Sequence, residues 1–233
     1  RPQGMAPRLS ALVLAAGRSA RMGRLKPLLP LDPQGAQTPL GLCVGLFRAA
    51  GIDEVVVVTG HRDDEVGSAA RAAGARVVHN PDYARGMYGS VRAGVAGLDA
   101  ATDGFFLLPV DIPLVRTGTV RLLARAFAGK PASVLLPVFA GRRGHPPLLG
   151  RELIGRIQDS AEPAGGLRTL LDLVEAEQPE RVREVQVADR FILRDMDTPA
   201  DYAACAAELA SRDWPRPPAP HALLPHLPPL PAR

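Results

Sequence analysis

The sequence predicts an α/β fold with a mostly parallel central sheet whose faces are covered by helices. Three observations carry that expectation. Along residues 9–208, short apolar runs alternate with longer amphipathic ones, the pattern of strand–helix units laid side by side. The composition, 46% hydrophobic against 22% charged, belongs to a packed globular chain rather than a disordered one. A body of about 200 residues is also long enough to bury a sizeable core as one domain.

The elements follow in order. Leu9–Ala16 (LSALVLAA) opens the domain as a buried strand, and Pro39–Ala50 is the first covering helix. Glu54–Thr59 (EVVVVT) is the next strand, because a run of β-branched apolar residues suits a strand buried on both faces. Asp63–Ala73 reads as helix, Arg76–His79 as strand, Tyr88–Leu98 as helix, Gly104–Leu108 (GFFLL) as strand and Val115–Phe127 as helix. Further strands are expected near Ser133–Pro137 and over Val182–Val187, the latter alternating as an edge or antiparallel strand does. Thr198–Ser211 closes the domain as an Ala-rich helix, with Thr198 as N-cap and Pro199 in the first helical position.

Charge narrows the function classes. The chain has 28 Lys+Arg against 24 Asp+Glu, a net charge of +4, but residues 1–8 and 209–233 carry +2 each. Residues 9–208 hold 23 positive and 23 negative side chains, so the body is neutral, which argues against a large phosphate-backbone footprint. Aromatics at 4% also supply few stacking platforms for single-stranded nucleic acid. Cys43 and Cys205 form no metal-type spacing, which fits a reduced, cytoplasmic setting. No run approaches the ~18 apolar residues of a membrane span, and the start RPQGMAPR has no apolar signal-peptide core. Eight of the 24 prolines fall between Pro215 and Pro231, so residues 209–233 read as an extended tail or linker. Its leucines leave two options open: docking on the domain or on a partner chain, or leading into a further domain.

Open parallel sheets bind ligands beyond the carboxyl ends of their strands, so the residues just after each run matter most. The first run continues into Ala15-Ala16-Gly17-Arg18-Ser19-Ala20-Arg21-Met22-Gly23-Arg24-Leu25-Lys26, a loop with two glycines, three arginines and one of only two lysines in the chain. Glycines let backbone N–H groups turn toward a phosphate, and the cations neutralise it; an exposed basic turn is the bland alternative. Neither a Walker GK[ST] nor a GxGxxG fingerprint is present. The GFFLL run ends in Pro109-Val110-Asp111-Ile112-Pro113, one carboxylate beyond a buried strand, placed either to hold a divalent cation or to cap the next helix. Arg194-Asp195-Met196-Asp197-Thr198 offers two more carboxylates where Thr198 already serves as cap.

Taken in order, LAAGRSARMGRLKPLLPL, PVDIPLV and DMDTPADY closely resemble the MobA-like nucleotidyltransferases, and within them the molybdenum cofactor cytidylyltransferase branch. Gly86-Met87-Tyr88-Gly89-Ser90 resembles the family's GMxxS stretch, and Gly144-His145-Pro146 the GHP segment of the cytidylyl branch. The resemblance covers about residues 9–208. It implies a Rossmann-like, three-layer nucleotidyltransferase fold that moves CMP from CTP onto a phosphorylated acceptor, molybdopterin, and releases pyrophosphate. It implies that Gly17, Arg18, Arg21 and Lys26 hold the triphosphate, that Ala15, Ala16 and Ser19 join them in binding the nucleotide, and that Lys26, Arg21 and Asp111 serve catalysis. Asp111 and Asp197 would bind Mg²⁺, with Mn²⁺ as substitute. Gly86 and Ser90 would line the nucleobase pocket, and His145 and Asp195 would face the acceptor. A molybdoenzyme or its chaperone is the docking partner such a chain would have.

The chemistry suits those roles. An anionic acceptor oxygen attacks the α-phosphorus of an anionic nucleotide, so cations are needed and a strong general base is not. His61 lies at the ligand-binding sheet edge but could simply begin a helix. Arg142 and Arg143 could meet an anionic acceptor or stay solvated, and Gly165-Gly166 reads as an acceptor-side segment or a plain turn before a helix. The Ala15-Ala16-Gly17 sequence resembles the LAAG of cytidylyl enzymes rather than the LAGG of guanylyl ones. A guanylyltransferase, a sugar-phosphate nucleotidylyltransferase and a non-catalytic nucleotide-binding regulatory module are the alternatives.

Overall fold

The computed structural model describes residues 6–18, 25–130, 132–159 and 162–211; the Pro-rich stretch lies outside the described residues. The strands are β1 (Leu9–Leu14), β2 (Glu54–Thr59), β3 (Arg76–His79), β4 (Gly104–Pro109), β5 (Val134–Phe139), β6 (Arg142–Arg143), β7 (Leu148–Gly150) and β8 (Val182–Gln186). The helices are α1 (Pro39–Ala49), α2 (Asp63–Ala72), α3 (Met87–Ala96), α4 (Thr117–Gly129), α5 (Glu152–Asp159), α6 (Gly166–Glu177) and α7 (Pro199–Ala210). Among the described residues no helix is long and apolar enough to cross a membrane.

One sheet runs in the order β3-β2-β1-β4-β7-β5, with β6 and β8 also pairing β5. The four strands β3, β2, β1 and β4 are parallel. β7 then runs antiparallel between β4 and β5, and β8 pairs β5 in parallel. Alternation along β1 sorts the core into two layers. Ala11 and Val13 pack with residues of α1, α2 and α4 on one face. Leu12 and Leu14 pack with α3, α5 and α6 on the other, giving the three-layer arrangement. Gly94 lets α3 approach this second face closely, since a side chain there would come within 2.7 Å of Leu12 Cδ2 and 2.8 Å of Val58 Cγ2.

The register puts the ligand-binding edge level. Leu14 aligns with Val58 on one side and Pro109 on the other, so the loops after β1, β2 and β4 open at the same height. Ala15 and Ala16, expected inside the first strand, instead lead the loop, although Ala15 N–H still donates to Val58 O at 2.9 Å. α4 starts at Thr117 rather than Val115, because Arg116 is still extended. Its N–H and the Thr119 hydroxyl donate to the buried Asp189 carboxylate, both at 2.8 Å. The alternating Val182 segment is a parallel partner of β5 with a mixed burial pattern, as befits an edge. The short strands β6 and β7 and the helix α5 were not expected from the sequence.

Candidate active site

A cleft of about 260 Å³ opens at this edge, between Leu14–Gly17, Lys26–Pro27, Gly86–Ser90 and Pro109–Asp111. Its first wall is the loop after β1. Ala15 and Ala16 are buried, His61 N–H donates to Ala16 O at 3.1 Å, and Gly17 is exposed with open space where a side chain would stand. Gly60 beneath it has no such space: an added Cβ would meet Tyr83 Cβ at 2.5 Å and Ala16 O at 2.9 Å. Tyr83 therefore packs against the turn, and the Arg18 guanidinium lies 5.6 Å from its ring centroid. Ser19 and Arg21, expected to bind the nucleotide, lie outside the described residues.

Lys26 opens a short 3₁₀ turn over Lys26–Leu28 and is only 9% exposed. Its Nζ donates to Asp197 Oδ1 at 2.7 Å and lies 3.7 Å from Asp111 Oδ2. A buried ammonium requires such counter-charge. The two carboxylates come from segments far apart in sequence, and the backbone joins them: Met196 N–H donates to Asp111 O at 2.8 Å. On the α7 side, Asp201 Oδ2 accepts from Asp197 N at 3.2 Å and Thr198 N at 2.8 Å, while Thr198 Oγ1 accepts from Asp201 N. This capping box fixes Asp197 just ahead of the helix.

Burial holds the Asp111 carboxyl above the usual carboxylate range; Lys26 pulls it down, while Asp197 and the exposed Asp195 push it up. Two acidic side chains converging on one point, one of them held up by burial and acidic neighbours, suit a hard divalent cation. Among the described residues no group of three or more His, Cys, Asp or Glu could form a closed metal cage. Two carboxylates are the donors of an oxygen-seeking divalent cation rather than of a structural zinc.

The opposite wall begins at Gly86, whose φ of +132° suits glycine, and continues into α3. Ser90 borders the cleft but is only 3% exposed, and its Oγ accepts from Asn80 Nδ2 at 3.0 Å. Sequence reasoning missed Asn80 and Tyr83. Asn80 directly follows β3, so the rule of looking just beyond each strand would have found it.

His145 is half-buried on the other flank of the sheet. Its N–H donates to Ile192 O at 2.9 Å, and Gly144 lies so near that a Cβ would stand 2.5 Å from the same oxygen. The GHP segment thus leans on the turn that leads into Asp195 and Asp197. Burial lowers the His145 pKa. Arg143, a possible anion ligand by sequence, is instead engaged by Glu175 at 2.6 Å and Glu184 at 2.7 Å. Gly165 and Gly166, both at positive φ, form the turn into α6.

Known proteins share this architecture. The molybdenum cofactor cytidylyltransferase of Escherichia coli is 28% identical over 83% of this chain and 93% of its own length. A probable molybdenum cofactor guanylyltransferase of Mycobacterium avium is 32% identical over 85% of this chain and 95% of its own. The Rv0371c protein of Mycobacterium tuberculosis, solved in complex with manganese, superposes with a TM-score of 0.65 at 28% identity, over 87% of this chain and 100% of that one. Residues 11–182 match the MobA-like NTP transferase domain, and the chain belongs to that family of nucleotidyltransferases.

Proposed function

We propose that the enzyme transfers CMP from CTP to a phosphorylated small-molecule acceptor, molybdopterin, releasing pyrophosphate, with Mg²⁺ (or Mn²⁺) at Asp111 and Asp197. The observation that carries this reading is Lys26 Nζ set between Asp197 and Asp111 beside the Ala15–Gly17 turn. The acceptor phosphate oxygen forms a bond to the α-phosphorus as the bond to pyrophosphate breaks in line. The acceptor is already ionised near neutral pH, so no side chain has to remove a proton. Lys26 neutralises charge on the reacting phosphates, and Arg18 and Arg21 hold the departing end with the Gly17 backbone. Ser19 adds a hydroxyl to that loop. Asp111 and Asp197 would hold the cation, which when bound would supply Lewis-acid stabilisation of the phosphoryl oxygens. Gly86 and Ser90 receive the base, and His145 and Asp195 face the acceptor. The manganese complex of the Mycobacterium tuberculosis relative supports a divalent cation, and the free, buried Cys43 and Cys205 fit a cytoplasmic setting.

GTP is the second reading, favoured by the likeness to the Mycobacterium avium guanylyltransferase. Pyrophosphate release with molybdopterin and Mg²⁺, followed in parallel for CTP and GTP, separates the two. Turnover with CTP that exceeds GTP by tenfold or more is expected; equal or GTP-favoured turnover would refute the cytidylyl assignment.

A further inference from the structure

Asn80 is a buried partner of Ser90 that stands behind the cleft wall and has no part in the transfer chemistry described above. Asn80 is 5% exposed and Ser90 3%. The amide is oriented from its far end: Asp82 N–H donates to Asn80 Oδ1 at 3.1 Å, so Nδ2 is the group that faces Ser90. That Nδ2 donates to Ser90 Oγ at 3.0 Å, and an amide N–H₂ cannot accept. Ser90 Oγ is therefore the acceptor in this contact, and its own proton is directed elsewhere. Ser90 borders the cleft.

We infer that Asn80 is a positioning residue: it holds the Ser90 hydroxyl as a donor toward the bound base and so favours cytosine over guanine. The inference rests on the reading of the Gly86–Ser90 wall as the nucleobase pocket. Cytosine presents O2 and N3 as acceptors on its pairing edge and only N4 as donor. Guanine presents N1–H and N2–H₂ as donors and only O6 as acceptor. A buried hydroxyl locked as donor finds a partner on cytosine, whereas most of guanine's edge leaves it facing another donor. The selectivity thus comes from which way one proton points, set by a residue that itself stays behind the wall.

Asn80→Asp tests this. It keeps the side chain's size and the acceptor for Asp82 N–H, but replaces the donor to Ser90 with an acceptor. Ser90 then donates backward and turns its lone pairs to the base. Binding of CTP and of GTP is measured by titration calorimetry at pH 8 for the wild type, Asn80→Asp, Ser90→Ala and the double variant, with thermal melts as the folding control. Wild type should favour CTP, and Asn80→Asp should lower the CTP-to-GTP affinity ratio about tenfold. In the Ser90→Ala background the same change should leave the ratio unmoved. An equal loss for both nucleotides, an unchanged ratio, or a shift that persists without Ser90 would overturn the inference. A wild type that favours GTP would instead overturn the cytidylyl reading on which it stands, before any variant is compared. Should Asn80→Asp fail to fold, Asn80→Leu, which also removes the donor, must lower the ratio in the same direction.

Discussion

Replacing Lys26 by methionine keeps an apolar stem of similar length and removes the ammonium from between two carboxylates. Lys26 lies 2.7 Å from Asp197 and 3.7 Å from Asp111, so by inverse distance the first attraction is about 1.4 times the second at equal screening. Breaking a fully buried pair costs about 3–5 kcal/mol. Here Asp111 and Asp197 keep 30% and 24% side-chain exposure and can rehydrate, so the expected loss is about 1–2 kcal/mol. Catalysis should suffer more, roughly 100- to 1000-fold in kcat, the cost of removing one preorganised charge from a developing anion. Metal binding should move the other way, because in the free enzyme Lys26 competes with a cation for the same carboxylates. Scanning calorimetry with and without Mg²⁺ should therefore show a larger rise in Tm for Lys26→Met than for wild type, while single-turnover pyrophosphate release slows. Weaker Mg²⁺ stabilisation in the variant, or turnover within about twofold of wild type, would refute the reasoning.

Asp111→Asn should abolish Mg²⁺-dependent stabilisation and pyrophosphate release while leaving the far-UV circular dichroism unchanged; retained metal binding would remove Asp111 from the site. Asp189→Ala strips the buried acceptor of Arg116 N, Thr119 Oγ1 and Phe191 N and should cost about 3 kcal/mol in urea unfolding. A loss under about 1 kcal/mol would mean water replaces it. His145 is held by burial below its ordinary pKa, so the unfolded chain takes up its proton first. Its contribution to stability is complete above the unfolded value near 6.5 and is lost as pH falls through the folded one. His145→Gln should flatten that part of the Tm-versus-pH curve, and an unchanged slope would contradict the burial of His145.

The parallel half of the sheet was readable because β1, β2 and β4 are buried on both faces, which leaves runs such as EVVVVT with no competing interpretation. The second half was harder. β7 is three residues and β6 two, too short for any period to show, and their places depend on β5 pairing with β7, β6 and β8 at once. Lys26 stood out in the basic loop after the first strand, Asp111 just beyond a buried strand and Asp197 just ahead of the closing helix, whereas their convergence depends on the Met196–Asp111 backbone bond, a contact with no local signal. Asn80 and Asp189 were passed over because a single buried polar residue after a strand looks like any turn residue until its partners are known. Arg143, left open between an anionic acceptor and solvent by its sequence, is engaged by Glu175 and Glu184, partners with no local signal.

A crystal structure with CTP and Mg²⁺ bound tests the central claim most directly. The account predicts the triphosphate against Ala15–Gly17 and Lys26, the metal touching both Asp111 and Asp197, and cytosine against Gly86 and Ser90. Nucleotide bound away from this cleft, or a metal that contacts neither carboxylate, would contradict it.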